Sequence, residues 1–441
     1  MKYDIYFDEA KKVGITDLEL YISSSSKLSF SLFHNELDNF SVAETYSLQA
    51  RGIYNDKFGY VKVEKEDKCT PKFVAETIKE NALINETKEA AEIFKGSEKY
   101  IKRNVYNPHN TQIPTEHKIA LAKEMENALR KADKRIVEVE ISYEEVSEEI
   151  KLINSYGLNL KNKTNLCYYF VSAVACDENK DTKTAYKIAF SDDFDDFNGE
   201  EIVNEVLHNT LSQLGAAPCA SKKYKAVLDK KVAANLLTFF LNSCSAEAVA
   251  KKSSLLVDKL DTLIASKKVT IEENPTKKNV FFRSFDDEGV ATTNKKIVDK
   301  GVLKTYLYDL KNARKFNVEP TGNGYKGGNG KVGISFTNPY LKPGKKSLNQ
   351  VCNEIGEGIY ITSVQGLHAG MNPSSGNFSL QASGYLIENG QIGRPVTLIT
   401  IAGNLFDMLK QVKEVCSDSE LLSSGFTCSS IYLKSLSVSG N

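Results

Sequence analysis

Histidine is scarce in this chain, which has only five in 441 residues: His34, His109, His117, His208 and His368. None has a second histidine within helical reach, so the sequence holds no local pair of imidazole ligands for zinc. Spacing alone does not support a Ser-His-Asp triad either. The pattern favours a surface or core role for each histidine over a metal site.

The chain also lacks net charge, because Lys+Arg and Asp+Glu number 57 each. A neutral balance gives no general attraction to nucleic acid or to an anionic membrane. No stretch approaches the roughly 18 apolar residues of a membrane span, and the charged start "MKYDIYFDEAKKVG" has no apolar signal-peptide core. The eight cysteines form no C-x-x-C pair, as expected of reduced, packed thiols. We expect a cytoplasmic protein without a nucleic-acid or membrane partner.

The length and the glycine distribution predict two domains. Seven of the 27 glycines precede residue 220, and the other 20 lie at or after Gly289. Tight turns are therefore concentrated in the second half. We predict an α+β fold, with an N-terminal domain of antiparallel strands and helices over 1–220 and a β-rich domain over 221–441.

Residue patterns predict the elements of the first half. Alternating residues in 17–65 indicate a meander of antiparallel strands, and Thr70-Pro71 begins a helix. Further helices are predicted at 114–133 and 198–216, and strand composition occurs at 135–145, 150–156, 165–176 and 184–191.

The β-rich half opens with a predicted long helix. Asp229 is a good N-cap, and the buried stripe consists of Val232, Leu236, Leu237, Phe240 and Leu241. The helical run extends into "SAEAVAKKSS" (245–254). Turn-punctuated strands follow, including a hairpin at Asn389-Gly390.

Two other motifs do not fit known binding sites. "GNGYKG" (322–327) follows a helical segment and precedes a strand-like one, whereas a dinucleotide site requires the reverse order. The acidic run "SDDFDDFNGEE" (191–201) lacks the spacing of an EF-hand, so we interpret it as the solvated cap of a helix.

Three segments in the second half resemble the TldD/PmbA family, also called microcin-processing peptidases or modulators of DNA gyrase. They are 284–316, 366–404 and the closing "IYLKSLSVSG" (431–440). "HAGMNPSSGNFS" is closer to the PmbA (TldE) branch. The resemblance is dense from about residue 224 onward and looser before it.

The resemblance directs attention to the helix that opens the second half. TldD-type members carry His-Glu-x-x-x-His there, with a late cysteine, and these residues hold a catalytic zinc. Here Ala246 and Lys251 occupy the histidine positions, and Glu247 occupies the general-base position. Alanine has no donor atom and an ammonium repels a cation, so we expect no bound zinc and a surface role for Glu247. Cys416 lies near the family's cysteine region, and we expect it to be a packed thiol.

The loop "GLHAGMNPSSGNF" contains the candidate peptide-binding residues His368, Asn372, Ser374 and Ser375. Its glycines permit close approach of another chain, and its polar groups lie on a connection. The alternative is a turn network that only ties two strands together, because Asn-Pro and Ser-Gly are strong turn formers.

The resemblance implies a PmbA-like subunit for peptide processing and degradation. Such a chain would form a shared chamber for extended peptide substrates, either with itself as a homodimer or with a zinc-bearing TldD-like subunit. No cofactor is expected in this chain. Two alternatives remain open: an independent peptidase of the same family, and a homodimeric peptide-binding or regulatory protein without catalysis. The sequence leaves open whether the chain has any activity of its own.

Overall fold

The computed structural model describes residues 3–86, 91–327 and 331–441 and has the predicted α+β fold. The helices are α1 (Asp4–Lys12), α2 (Thr70–Ile84), α3 (Thr115–Ala132), α4 (Gly199–Leu211), α5 (Lys230–Ser243), α6 (Ala246–Ala250), α7 (Leu310–Phe316), α8 (Leu348–Ile355), α9 (Leu367–Gly370) and α10 (Leu405–Lys410). Within the described ranges, none of these helices combines the length and hydropathy needed to cross a bilayer.

The strands fall into two groups along the chain. The N-terminal strands are β1 (Asp17–Phe33), β2 (Glu36–Tyr54), β3 (Lys57–Val63), β4 (Ile136–Asn154), β5 (Asn159–Cys176) and β6 (Thr182–Ser191). The C-terminal strands are β7 (Lys222–Leu228), β8 (Ile271–Glu273), β9 (Lys295–Asp299), β10 (Val302–Leu303), β11 (Gly324–Lys326), β12 (Val332–Ile334), β13 (Pro339–Leu341), β14 (Gly358–Gln365), β15 (Asn377–Glu388), β16 (Gln391–Asn404), β17 (Val412–Val415), β18 (Glu420–Leu421), β19 (Thr427–Cys428) and β20 (Ile431–Ser439).

The N-terminal strands form one antiparallel sheet in the order β3-β2-β1-β4-β5-β6. β1 and β2 make a long hairpin whose turn residues, His34 and Asn35, both have positive φ, as a two-residue primed turn requires. β4 is continuous, although the sequence suggested two separate strands. The acidic residues in its middle are balanced: Glu145 is buried against Lys118 at 2.5 Å, and Glu149 binds Lys151 and Lys161.

The two faces of this sheet have different neighbours. Helices α1 and α2 cover one end of the first face, where Leu20 and Leu48 are buried, and helices α3 and α4 cover the other end over Phe30 and Leu32. The opposite face meets the C-terminal half, since Tyr21 packs with Phe285. We refer to these as the helix face and the inner face.

In the C-terminal half, two six-stranded sheets pack around α5. Their orders are β16-β15-β14-β7-β20-β17 and β10-β9-β8-β13-β19-β18. An additional pairing of β16 with β20 closes five strands into a ring and removes their free edges. The predicted apolar stripe of α5 is fully buried. The predicted hairpin at Asn389-Gly390 is confirmed by its pairing and by positive φ at both residues.

Two predicted helices are shorter than expected. The predicted run through 245–254 is interrupted, because α5 ends at Ser243 and Ser245 is extended. Leu307 causes the break: its N–H donates to the Cys244 carbonyl, and its carbonyl accepts from the Ala246 N–H. The helix predicted over 198–216 ends at Leu211, four residues before Gly215.

Gly59 is expected to be intolerant of any side chain. It lies in β3 beneath α2, where an added Cβ would come within 1.8 Å of the Ile78 carbonyl oxygen. Gly59→Ala should therefore push α2 off the sheet and lower the free energy of unfolding by about 1–3 kcal/mol. Gly333→Ala is the control, because no described atom lies within 4 Å of its added Cβ. Equal urea midpoints for the two variants would contradict this packing.

Candidate functional site

Ala246, the first position compared with a family histidine, belongs to the hydrophobic core. It is the first residue of α6, and its side chain is fully buried. Its N–H donates to the Leu307 carbonyl at 3.0 Å. The position therefore provides a methyl group to the core and no metal donor.

Glu247 and Lys251 form a surface ion pair. Lys251 Nζ donates to Glu247 Oε1 at 2.7 Å, and 46% of the Glu247 side chain is exposed. Such i,i+4 pairs on a helix surface contribute only a few tenths of a kcal/mol. The general-base position of the family is thus held here by a solvated carboxylate that accepts a hydrogen bond from lysine.

Cys416 lies in a different part of the core from Ala246. It follows β17 and packs with Val351, Cys352 and Ile355, in a cluster separate from the one that contains Ala246. Burial, with a smaller effect from Asp418, raises the pKa of the Cys416 thiol to about 12. The thiol is therefore neutral at physiological pH and is not brought to the 246–251 helix.

The 366–377 loop is stabilised by its own turns. The Asn372 side-chain oxygen accepts hydrogen bonds from the backbone N–H groups of Ser374 and Ser375, both at 3.0 Å. The Ser375 hydroxyl accepts from the Asn377 N–H. Asn372 and Ser375 are therefore used in shaping the loop.

A neighbouring asparagine anchors this loop to the core. The Asn404 side-chain amide donates to the Ser375 carbonyl at 2.8 Å, while its oxygen caps α10. Phe406 of α10 packs against Gly376 on one side and Phe240 of α5 on the other. His368 and Ser374 are exposed, so a peptide can contact their side chains.

A buried polar cluster between the two halves was not anticipated from the sequence. It joins the inner face of the N-terminal sheet to the "SFDDEG" and "GNGYKG" segments. We call it the interdomain cluster, and its members are Glu19, Tyr21, Arg51, Arg283, Asp286, Asp287, Glu288 and Lys326. From the sequence, Asp-Glu-Gly predicts only a turn. The N-terminal residues that contact this segment, Tyr21 and Arg51, are more than 200 residues away in the chain.

Specific hydrogen bonds hold the interdomain cluster together. Arg51 donates to Glu19 at 3.1 Å and lies 3.8 Å from Glu288. Asp287 accepts from the Tyr21 hydroxyl at 2.9 Å and from Arg283 at 2.5 Å. The polar contacts of Arg51 with Glu288 and of Tyr21 with Asp287 thus give each buried carboxylate a partner, which is the condition for keeping ions out of water.

The electrostatics of the cluster follow from its burial. Burial lowers the pKa of Lys326 to about 8, and Glu19, at 3.7 Å, only partly opposes this shift. Burial, together with the nearby Glu288, raises the pKa of Asp286 well above its usual range. Asp286 accepts hydrogen bonds from the backbone N–H groups of Glu288, Val290 and Gly324. These partners assign it a structural role.

His109 lies close to acidic residues that are far from it in the sequence. Its Nε2 lies 2.9 Å from Asp195 Oδ2, and Asp193 completes a group whose ligand atoms are within 4.8 Å of one another. The group is only partly buried, and Asp193 already accepts from the Asn107 side chain. The acidic run also caps local structure as expected, with Asn198 at the start of α4. We interpret the His109 contact as a surface hydrogen bond to Asp195.

Two family models match most of the chain. The PmbA/TldA metallopeptidase central domain matches residues 108–214, and the PmbA/TldA metallopeptidase C-terminal domain matches residues 221–440. These matches and the fold define a protein of the PmbA/TldA metallopeptidase class.

Curated relatives support the same assignment. The metalloprotease PmbA homolog of Buchnera aphidicola is 32% identical over 327 residues, covering 74% of this chain and 70% of the relative. The metalloprotease PmbA of Escherichia coli O157:H7 is 30% identical over 338 residues, covering 75% and 72%. The chain belongs to the TldD/PmbA family and is a subunit of the TldD/PmbA peptidase type.

Solved structures share the whole architecture. A candidate modulator of a DNA gyrase from Thermotoga maritima superimposes with a TM-score of 0.90 at 30% identity, covering 99% of each chain. TldE from Thermococcus kodakarensis gives a TM-score of 0.91 at 22% identity, covering 100% of each. The second likeness concerns the fold alone.

Proposed function

We propose that this chain is the zinc-free, TldE-like subunit of a cytoplasmic peptide-processing and peptide-degrading system. The zinc and the general base would come from a TldD-like partner chain. The observation that carries the proposal is the lack of zinc ligands at the two family histidine positions, Ala246 in α6 and Lys251 directly after it. Ala246 is buried without a donor atom, and Lys251 is bonded to Glu247. Zinc requires several neutral nitrogen or anionic oxygen and sulfur donors, and of Ala246, Glu247 and Lys251 only Glu247 supplies one.

The inner face of the N-terminal sheet supports a role in holding substrate. Beyond the residues that contact the C-terminal half, this face carries Tyr168, Phe170 and Tyr186, all partly or largely exposed. The rings of Phe170 and Tyr186 lie 5.4 Å apart. An aromatic strip beside a second domain can hold apolar side chains of an extended peptide. We infer that it forms one wall of the shared chamber.

The loop at 366–377 offers a second contact. His368 and Ser374 are exposed there, while the Asn372 side chain fixes the turn. In the proposed chamber, these two side chains would donate to or accept from the peptide backbone near the partner's metal. The loop's own bonds would keep them in place before substrate arrives.

The purified chain is expected to carry no stoichiometric zinc and to cleave no peptide by itself. Both histidine positions lack a donor, so the binding energy of the family site is missing. Metal content after dialysis against a mild chelator, followed by cleavage of an unfolded peptide with and without a TldD-like chain, measures this. We expect chelator-sensitive cleavage only in the mixture.

Other results of this experiment would identify the alternatives. Chelator-sensitive cleavage by the chain alone would replace the proposal with an independent peptidase. Peptide binding by the chain alone, with no gain of cleavage in the mixture, would indicate a homodimeric peptide-binding or regulatory protein. About one zinc per chain would contradict the proposed loss of the site.

A further inference from the structure

One row of side chains crosses the inner face at the end of the sheet that carries the β1–β2 turn. The register pairs Glu140 of β4 with Phe33 of β1 on one side and with Ser172 of β5 on the other. Ser172 in turn pairs with Tyr186 of β6. We call these four residues the inner row. Their neighbours in the chain are buried on the helix face, which places the inner row on the opposite face: Leu32, Val139, Ile141, Val171 and Ala173.

Two exposed rings lie at the ends of the inner row. Phe33 is 49% exposed and Tyr186 is 56% exposed. Ser172 is small and buried, so it leaves a gap between Glu140 and Tyr186, which lie two strand spacings, or about 10 Å, apart. The Phe170 ring borders this gap, 5.4 Å from the ring of Tyr186. The gap is therefore a shallow slot with aromatic rings on one side and a carboxylate on the other.

Glu140 differs from the neighbouring glutamates of β4. Glu138 pairs with Arg130, and Glu144 pairs with Lys27. In the part of the chain that the structure describes, no ion pair or hydrogen bond reaches the exposed side chain of Glu140. A carboxylate beside exposed rings, without a described cation of its own, is suited to a positively charged group from another molecule.

We propose that the inner row binds one basic side chain of the extended peptide, with arginine preferred to lysine. The side chain lies over Ser172, its charged end meets the Glu140 carboxylate, and its face lies against the Tyr186 ring. Arginine fits this arrangement best, because a guanidinium donates two parallel hydrogen bonds to a carboxylate and also stacks on a ring. A lysine ammonium is a compact, strongly hydrated charge and gains less from the ring.

The inner row lies within reach of the space between the two halves. The Phe190 ring of β6 contacts the Phe281 ring of the C-terminal half, with 5.9 Å between their centroids. Tyr186 precedes Phe190 by four residues, which is about 13 Å at the strand rise of about 3.3 Å per residue. An extended peptide spans that distance with about four residues, and Tyr168 and Phe170 line the path. A peptide held between the halves can therefore place one basic residue on the inner row.

This inference deepens the proposed function and rests on it for the ligand, an extended peptide. It adds a preference for positive charge at one peptide position. Binding to this chain alone and cleavage in the mixture with a TldD-like chain are separate measurements. Lost cleavage with an intact arginine preference would overturn the proposed function alone. Intact cleavage without an arginine preference would overturn this inference alone.

Binding of two matched peptides to the full-length chain tests the inference. One is a fluorescently labelled unfolded peptide with a single arginine, and the other carries citrulline there, which keeps the shape without the charge. The arginine peptide should bind about 10-fold more tightly, from the combined effect of a cation–π contact and an exposed ion pair. Equal affinities, or no binding of either peptide, would overturn the inference.

Substitutions in the chain locate the contact. Glu140→Gln and Tyr186→Leu should each reduce the preference for arginine over citrulline to about threefold or less. Glu148→Gln is the matched control, because Glu148 is also exposed on β4 and has no described ion pair. Its partners across the sheet are Ser25 and Thr164, which carry no ring. Equal effects of the two glutamate substitutions would show a diffuse charge effect and overturn the site.

Charge reversal gives the sharpest outcome. Glu140→Lys should bind a peptide with glutamate in place of the arginine more tightly than the arginine peptide, which reverses the order of the wild-type chain. An unreversed order would overturn the inference. Sedimentation of both chains accompanies the binding measurement. A wild-type chain without arginine preference, whose association Glu140→Lys alters, would assign Phe33 and Tyr186 to a contact with another chain and overturn the inference as well.

Discussion

Replacing Arg51 with methionine is expected to lower the free energy of unfolding by about 3–5 kcal/mol. Arg51 is the buried cation between Glu19 and Glu288, and Glu19 has no exposed surface. Removing the guanidinium leaves two buried carboxylates, of which Glu19 has Lys326 at 3.7 Å. Urea unfolding at neutral pH measures the loss.

A matched variant at an exposed ion pair separates the effect of burial from the effect of losing one positive charge. Arg314 pairs with Glu92 at 2.9 Å, but both side chains are about half exposed, so Arg314→Met should cost no more than about 1 kcal/mol. Adding Glu19→Gln to Arg51→Met should recover part of the loss, because it removes one unpaired charge. Equal losses for Arg51→Met and Arg314→Met would show that the interdomain cluster is not a closed network.

Much of the fold could be predicted because it depends on local patterns. The apolar stripe of α5 has helical spacing, Thr70-Pro71 starts α2, and Asn389-Gly390 permits the positive φ of a primed turn. In these places, a few adjacent residues determine the backbone. The sheet order does not follow from such patterns, since β1 pairs with β4 across more than 100 residues.

The errors occur where distant residues override local preference. "SAEAVAKK" has good helix formers throughout, yet the chain breaks at Ser245 because Leu307 bonds to both Cys244 and Ala246. The sequence predicts two strands in place of the continuous β4, because the glutamates of β4 interrupt the apolar pattern. Their partners Lys118 and Lys161 lie on other elements.

In the candidate site, too, the features set by local residue identity could be predicted, and those set by distant contacts could not. Residue identity was sufficient to show that positions 246 and 251 have no zinc donors. The interdomain cluster could not be found, since Tyr21 and Asp287 are 266 residues apart. The three consecutive acidic residues at 286–288 were a signal of this cluster, because their charge has to be balanced by residues from another part of the fold.

Restoring the two histidines is expected to damage the fold without creating a zinc site. Ala246 is fully buried, and its backbone is fixed by Leu307, so an imidazole at this position needs space and hydrogen-bond partners that the core lacks. Ala246→His should lower the free energy of unfolding by about 2–4 kcal/mol. Lys251→His should change it by less than about 0.5 kcal/mol, because the side chain is exposed. Urea midpoints measure both.

The double variant, Ala246→His with Lys251→His, tests whether the missing donors are all that separates this chain from a zinc peptidase. The third family donor would have to be Cys416, but its thiol is neutral and packed in another cluster. Two imidazoles without a third ligand or orienting groups bind zinc weakly. Dialysis of the double variant against a mild chelator should therefore leave well under one zinc per chain, with Lys251→His alone as the control. Stoichiometric zinc with chelator-sensitive cleavage would mean that the rest of a working site is still present, and that only these two side chains were lost.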